Sequence, residues 1–491
     1  MKEFKYVWIV GLLVTALIIA VPIVLLVNRQ QQPSTDPWDA MPEHPAHTSH
    51  VGLFTEPLET GSDVTRACIS CHEEAATEVM QTVHFQWRGE PTEIPGHEDT
   101  VLAIGKANLL NNFCIGIQSN WTGCTRCHAG YGWDSADYDF SNPENIDCLV
   151  CHAQDGTYAK AKSGLPAEGV DLLAAAESVG IPTRDNCGYC HFNGGGGDAV
   201  KHGDLDETLY YPTDHEDVHM GRHDFMCTDC HVTENHQIRG RAISVSVDAT
   251  TNQVHCSDCH TEQPHTDDRL NAHTETVACQ TCHVPAGAVR EPTKMIWDWS
   301  TAGDDNREEN PHEYLKIKGS FVYEANFMPE YAWFNGTVAY RYLLGDPIPD
   351  PSQPTPLNPP AGDINDPNAQ IWPFKIHRAT QIYDPLYGYL IQPQTVGEDG
   401  YWTHFDWNLA AENGMATVGL PYSGQYDFVP TTMYWPLSHM VQPAEHALQC
   451  VDCHSENGRL DWEALGYPGD PMRWGSRTSE ELAAYLNQIA N

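Results

Sequence analysis

The chain has 491 residues and sets 26 Lys and Arg against 67 Asp and Glu, a formal net charge of -41. So acidic a surface excludes nucleic acid as a partner, because a phosphate backbone needs a basic face. It also repels an anionic substrate except where local lysines and arginines reverse the field.

Residues 1–28 open on Tyr6 to Val27, an apolar run without charge. It is long enough to cross a bilayer as a helix, which takes about 20 residues. A secretory signal has a shorter apolar stretch and a small-x-small cleavage site. After Val27 the chain reads Asn28-Arg29-Gln30-Gln31-Gln32 and offers neither such a site nor a lipobox cysteine. Lys2 and Lys5 precede the run and hold the N-terminus in the cytoplasm. The reading is a retained single-pass anchor in the cytoplasmic membrane, with the rest of the chain on the periplasmic, extracytoplasmic side. Residues 29–61 are polar and carry Pro33, Pro37, Pro42, Pro45 and Pro57, as a linker would. His44, His47 and His50 read there as solvated side chains.

From residue 62 to 288 the pattern Cys-x-x-Cys-His recurs at Cys68/Cys71/His72, Cys124/Cys127/His128, Cys148/Cys151/His152 and Cys187/Cys190/His191. It continues at Cys227/Cys230/His231, Cys256/Cys259/His260 and Cys279/Cys282/His283, and an eighth copy follows at Cys450/Cys453/His454. Two thiols so spaced form thioethers to the vinyl carbons of one haem c, and the adjacent His lies under its iron. Zinc knuckles need paired motifs at fixed separation without that His; here the gaps are irregular. Eight covalent haem c groups are predicted, attached after export, and Cys114 alone is left over. Eight macrocycles supply much of a core, so short helices and irregular loops are expected here rather than large sheets. Helices are predicted at 73–83, leading into His84, and at 171–179. The turn 193–198, Asn-Gly-Gly-Gly-Gly-Asp, lets backbone approach something closely, as a haem edge would require.

Residues 289–444 carry no motif and are rich in aromatics and proline. They read as a wrap over the haems with a few short strands, such as 319–323 and 337–341, and a Pro-rich loop at 345–370. Residues 445–491 hold the eighth motif and a C-terminal helix opened by a Thr478/Glu481 capping box, with Leu482, Tyr485 and Leu486 on one face. The fold class is mainly α with much irregular coil, a multihaem cytochrome c fold behind one N-terminal transmembrane helix.

A haem with two axial His ligands has no open position and only transfers electrons. Eighteen of the 26 histidines lie outside the motifs. The candidates for distal ligands are His84, His202, His219, His236, His265, His273 and His439, with His223, His255 and His446 as rivals. His377 is a ligand or a pocket residue.

Longer strings then become informative. They are Phe113-Cys-Ile-Gly116 with Cys-Thr-Arg-Cys-His128, Asn145-Ile-Asp-Cys-Leu-Val-Cys-His152 with Tyr158-Ala-Lys160, and Cys190 to Asp198 with Lys201-His-Gly-Asp-Leu-Asp206. Trp297 to Gly303 and Met433 to His439 complete the set. On these the chain resembles the octahaem tetrathionate reductase family of c-type cytochromes, from about Val64 to Pro471. The resemblance implies seven bis-His haems and one, at the second motif, with His128 below the iron and a lysine amine above it. The matching position is Lys160, with Lys162 as a rival. Taken alone Lys160 would be a solvated lysine. An amine binds iron only when neutral, which takes desolvation or a nearby positive centre. An acid after the third motif's His would also fit the family, but this chain has Ala153, which leaves that role to Asp155 or elsewhere. Cys114 is either a buried structural thiol or a reactive thiol near the same haem.

The function implied is a respiratory reductase. A membrane or soluble donor, quinol-linked or another cytochrome, feeds bis-His haems that lead to the Lys160 site, where a small inorganic anion is reduced. The anion is tetrathionate, split into two thiosulfates by two electrons; nitrite and hydroxylamine are compatible substrates. The alternative is a non-catalytic conduit to a partner, a mineral or a filament neighbour. Oxidation at a cross-linked haem would need a cross-linking Tyr, and the sequence singles none out.

Overall fold

The structure, a computed structural model, describes residue 9 and residues 11–20, 36–44, 46–113, 115–194 and 196–489. Of the apolar N-terminal run, residues 9 and 11–20 are helical, with Thr15 Oγ1 donating to the Gly11 carbonyl at 2.9 Å. Among the described residues no helix is long and apolar enough to cross a membrane. The rest of the run lies outside them.

Between residues 61 and 288 the elements are short. Most motifs fold as a single helical turn, such as Leu149–His152, Cys227–Cys230 and Cys279–His283. One turn brings thiols three residues apart onto the same face. The sequence inside three motifs explains why so short a turn holds. Asp229, Asp258 and Asp452 fill the residue before the second Cys. Each carboxylate accepts from the backbone N–H three residues upstream, on Met226 (2.7 Å), His255 (3.0 Å) and Gln449 (2.7 Å). That caps an otherwise unsatisfied helix start. The helix Gly61–Ile69, carrying Cys68, is opened by a Thr60/Asp63 capping box. The helix expected over 73–83 is two pieces, Ala75–Met80 and Val83–Gln86, broken at Thr82, whose Oγ1 accepts from Phe85 N. Asp171 caps Leu172–Glu177.

The expected wrap with a few short strands is corrected by an eight-stranded sheet. Its strands are β1 (Thr293–Asp298), β2 (Tyr314–Leu315), β3 (Gly319–Glu324), β4 (Glu330–Phe334), β5 (Thr355–Pro356), β6 (Gln370–Asp384), β7 (Tyr389–Leu390) and β8 (Asp427–Pro436). The order is β2-β3-β1-β6-β8-β5, with β4 and β7 also pairing to β6. β6 and β8 run antiparallel from Phe374–Pro436 to Tyr383–Asp427. Along β8, Val429, Thr431, Met433 and Trp435 are buried in alternation, as one covered face requires. β6 is buried nearly throughout. It is covered on both faces and therefore shows no two-residue alternation. The helix Trp407–Val418 closes a core with Trp297, Trp299, Tyr401 and Met415, in which the Trp297 and Trp299 rings stack at 4.7 Å. Residues 337–341 are not a strand; Thr337 and Val338 make only isolated bridges. The last helix, Glu480–Ile489, is capped one residue later than expected, Ser479 Oγ accepting from Leu482 N at 3.1 Å.

Candidate haem sites and the second motif

A cavity of ≈ 3060 Å³ runs through the region before the sheet. Pockets for a single small molecule span about 300–1,000 Å³, so this space suits several large groups. Its walls carry the imidazoles of His72, His152, His191, His231, His260 and His283 together with motif cysteines.

The imidazoles pair. His72 faces His50 at 6.1 Å between ring centroids, His152 faces His236 at 6.5 Å, and His191 faces His84 at 6.2 Å. His231 faces His439 at 6.1 Å, His260 faces His219 at 6.1 Å, His283 faces His265 at 6.3 Å and His454 faces His273 at 6.3 Å. Metal–imidazole bonds of about 2 Å, with about 1.1 Å from nitrogen to ring centre, put two trans ligands about 6.3 Å apart. The seven separations match that figure. The rings leave room between them for one metal, and neighbouring cysteines stand ready to fix its macrocycle. Haem c fits these residues.

The outer nitrogens support the fit. Nδ1 meets an oxygen acceptor in His152 (Gly180 O, 2.9 Å), His231 (Arg239 O, 2.6 Å), His273 (Arg269 O, 2.8 Å) and His50 (Thr48 O, 2.9 Å). Carboxylates do the same for His236 (Glu78, 2.7 Å), His439 (Asp204, 3.1 Å) and His454 (Asp470, 2.6 Å). Each fixes the tautomer and leaves Nε2 for a metal. Burial pushes His84, His152, His191, His231 and His283 below the ordinary imidazole range; a neutral ring is the ligating form. Gly240, at φ 109°, passes so close to His231 that a Cβ there would lie 2.6 Å from Nδ1. A side chain at residue 240 would displace the ring.

His128 of the second motif is different. Among the described residues no imidazole faces it. Its ring sits among Phe85, Trp87, Trp133, Tyr138 and Phe140, with centroids at 4.8–6.1 Å. Burial pushes it down to about 3. Its Nε2 meets the Phe85 carbonyl at 2.5 Å, while Nδ1 has no partner. Coordination through Nε2 would require that hydrogen bond to be given up.

Lys160 is buried beside the His128 backbone, its Nζ 5.5 Å from the centre of the Tyr131 ring. Its Nζ donates to Asp147 Oδ2 at 2.7 Å, to the Gly130 carbonyl at 3.1 Å and to the His128 carbonyl. Asp147 also accepts from the Tyr131 hydroxyl at 2.8 Å, the Tyr158 hydroxyl at 3.0 Å and Val150 N at 3.0 Å. The acid beside Lys160 is therefore Asp147, immediately before the third motif. Asp155 turns instead to Thr157 and the Tyr158 N–H. Lys162 is exposed, in the neighbouring 3₁₀ turn Lys162–Gly164.

Six of the seven expected distal histidines face a motif imidazole. The seventh, His202, packs edge-on against Trp435 at 4.8 Å, and His50 stands across from His72 in its place. His50 was unexpected because it lies in the Pro-rich linker. The signal was its company: His47 stacks on it at 5.0 Å, so the histidines of that segment cluster rather than scatter. His223 lies against Trp38, and His255 and His446 face no motif ring. His377 is fully buried on β6, its Nδ1 3.1 Å from Asn112 Oδ1. Cys114 lies outside the described residues.

Thiols of different motifs are close neighbours: Cys68 with Cys148, Cys127 with Cys190, Cys187 with Cys227, and Cys256 with Cys279. The motifs are thus neighbours in space as well as in sequence.

Comparisons with known proteins place the chain among multihaem c-type cytochromes. The bacterial cytochrome c family pattern matches residues 294–457. A crystal structure of an octahaem cytochrome c from Shewanella oneidensis is similar at a TM-score of 0.80 and 49% identity, covering 86% of this chain and 97% of that one. An uncharacterized protein of Archaeoglobus fulgidus is 24% identical across 38% of this chain and 79% of its own length.

Proposed function

The chain belongs to the octahaem c-type cytochromes and carries covalently bound haem c, and from that premise we propose that it is a respiratory reductase whose substrate is reduced at the second motif. The observation that carries this reading is the odd motif out: seven motif imidazoles face another imidazole, and His128 instead lies beside a buried lysine. When bound, haem supplies one-electron storage and, where an axial position opens, an iron that holds the substrate.

The chain's residues do the rest. Seven imidazole pairs would hold seven irons from both sides and close them to outside ligands. Lys160, leaving its proton with Asp147, would be the residue to hold the second iron as an exchangeable ligand. Asp147, which also accepts from the hydroxyls of Tyr131 and Tyr158, would take the amine back and return its proton. The contacts between thiols of different motifs support electron transfer over short steps. The substrate class is tetrathionate, divided by two electrons into two thiosulfates, or nitrite or hydroxylamine. The N-terminal run is a membrane anchor that leaves the haem-binding part on the periplasmic side. Gly52 N bonds Glu177 at 2.7 Å and His44 bonds Asp229 at 2.5 Å, so the segment following the anchor is docked. That supports entry of electrons, from a quinol-linked donor or another cytochrome, at the first motif.

A second reading, a non-catalytic conduit, is favoured by one observation: the Lys160 amine is committed to Asp147 and two carbonyls. An amine held as a three-fold donor offers iron no lone pair. Turnover decides between the two. Reduced haem-loaded protein is offered tetrathionate, nitrite and hydroxylamine, beside a Lys160→Ala variant. The reductase reading expects turnover in the wild type that falls at least tenfold or changes substrate preference in the variant. No turnover of any of the three leaves the conduit.

A further inference from the structure

We propose that Lys106 and Lys201 form an oxyanion-binding site in the cavity wall beside the second motif, and that its ligand is the small anionic substrate. The inference rests on the reductase reading above and names the residues that would gather its substrate.

The chain as a whole repels anions, at a net charge of -41. A substrate anion therefore needs a place where the field reverses. The side chain of Lys201 lies deep in the molecule yet borders the cavity. Among the described residues its Nζ has no hydrogen-bonding or ion-pair partner. Lys106 borders the same cavity, its Nζ 4.2 Å above the Trp87 ring, and Trp87 in turn meets the His128 ring at 5.4 Å. The charges of Lys106, Lys201 and Arg126 all bear on Cys127 of the second motif. Two like charges facing one space inside a protein call for an anion between them. Two acids of the same cavity wall are committed elsewhere: Asp204 to His439 and the N–H groups of Ser438 and His439, and Asp147 to Lys160.

The surroundings hold Lys201 in place. Lys375, fully buried on β6, donates through Nζ to the carbonyls of Lys201 (2.9 Å) and Val200 (3.1 Å) and to Thr293 Oγ1 (2.6 Å). That fixes the backbone from which Lys201 projects. The glycine-rich turn makes the room: a Cβ on Gly194 would lie 2.2 Å from Lys201 Nζ and 2.1 Å from its Cε. The close approach that the turn permits is thus that of a lysine.

An oxyanion at this site has two sources, a free substrate or a haem propionate carboxylate. The full haem-loaded chain separates them, as wild type, Lys106→Gln, Lys201→Gln and Lys201→Arg. Calorimetric titration with nitrite reads binding. Steady-state assays compare nitrite with hydroxylamine, which is uncharged at neutral pH. Potentiometry follows the haem midpoint potentials. The expected result is a loss of nitrite affinity of about tenfold in either Gln variant, from loss of a charge-assisted bond. KM for nitrite rises alongside while kcat holds, KM for hydroxylamine and the potentials stay put, and Lys201→Arg restores binding. Unchanged nitrite affinity with a shifted potential assigns the lysines to a propionate and overturns the proposal; unchanged affinity and potential overturn it too. If lysine-dependent nitrite binding persists in a wild type that turns over nothing, the site stands and the reductase reading falls.

Discussion

The region from 62 to 288 and the sheet at 293–436 solve the same problem in opposite ways. The sheet has a protein-made core: Trp297, Trp299, Tyr401, Trp407, Met415 and Met433 pack in one cluster, fed by the long pairing of β6 and β8. The motif region has only small clusters, such as Val64 with Leu149 and Ala175, or Phe85 with Ile146. It is arranged round a cavity of ≈ 3060 Å³ whose walls are imidazoles and thiols. A chain orders itself only where buried contacts outweigh lost conformational entropy. In the sheet side chains supply those contacts; in the motif region the prosthetic groups do.

The largest test of that contrast withholds haem. In full-length chain made without haem attachment, amide exchange is expected to lose protection across 62–288 and to persist longest in β6 and β8. Uniform exchange would break the contrast. Next comes the sheet's own core. Trp297→Ala removes a fully buried ring that stacks on Trp299 and donates Nε1–H to the Lys318 carbonyl at 2.6 Å. The expected cost is about 3–5 kcal/mol of stability, read by denaturant titration, with haem absorption unaltered. A smaller, local effect is expected at the first motif. His50→Ala should convert one haem of the eight to a high-spin spectrum, and His202→Ala should convert none. The opposite pattern would return His202 to the axial position.

The smallest effect lies between the two regions. Asp198, at the end of the glycine-rich turn, is pushed up to about 6 from an ordinary 3.8, by burial first and then by the charge of Glu207. A raised carboxyl favours the native state while it is protonated, and that advantage is lost as pH rises through about 6. Asp198→Asn keeps an acceptor for the Glu207 N–H. It should raise stability at pH 7.5 by about 1 kcal/mol, the full shift being reduced by solvent at a half-exposed site. The gain should vanish below about pH 4.

What was legible in the sequence follows the same divide. Haem attachment is local chemistry, five residues long, so all eight motifs could be read directly. Pairing across an iron is non-local, yet His84, His219, His236, His265, His273 and His439 stood out because each lies near a motif or a turn. His50 did not, because the segment that carries it is docked through Gly52 on Glu177 and His44 on Asp229, far along the chain. The sheet was underestimated for a physical reason. β6 is covered on both faces, so alternation is absent, and Pro373 within it argues against a strand. The acid at Lys160 was sought after the third motif and lies before it, at Asp147, where only the fold brings the two together.

The claim at the centre is that one motif of eight is unlike the rest. Axial ligation read by magnetic circular dichroism and electron paramagnetic resonance on oxidised protein, wild type beside Lys160→Ala, tests it most directly. The account predicts seven bis-imidazole haems that ignore the substitution and one non-bis-imidazole haem whose signal changes with it. Eight bis-imidazole haems, identical in both proteins, would contradict it.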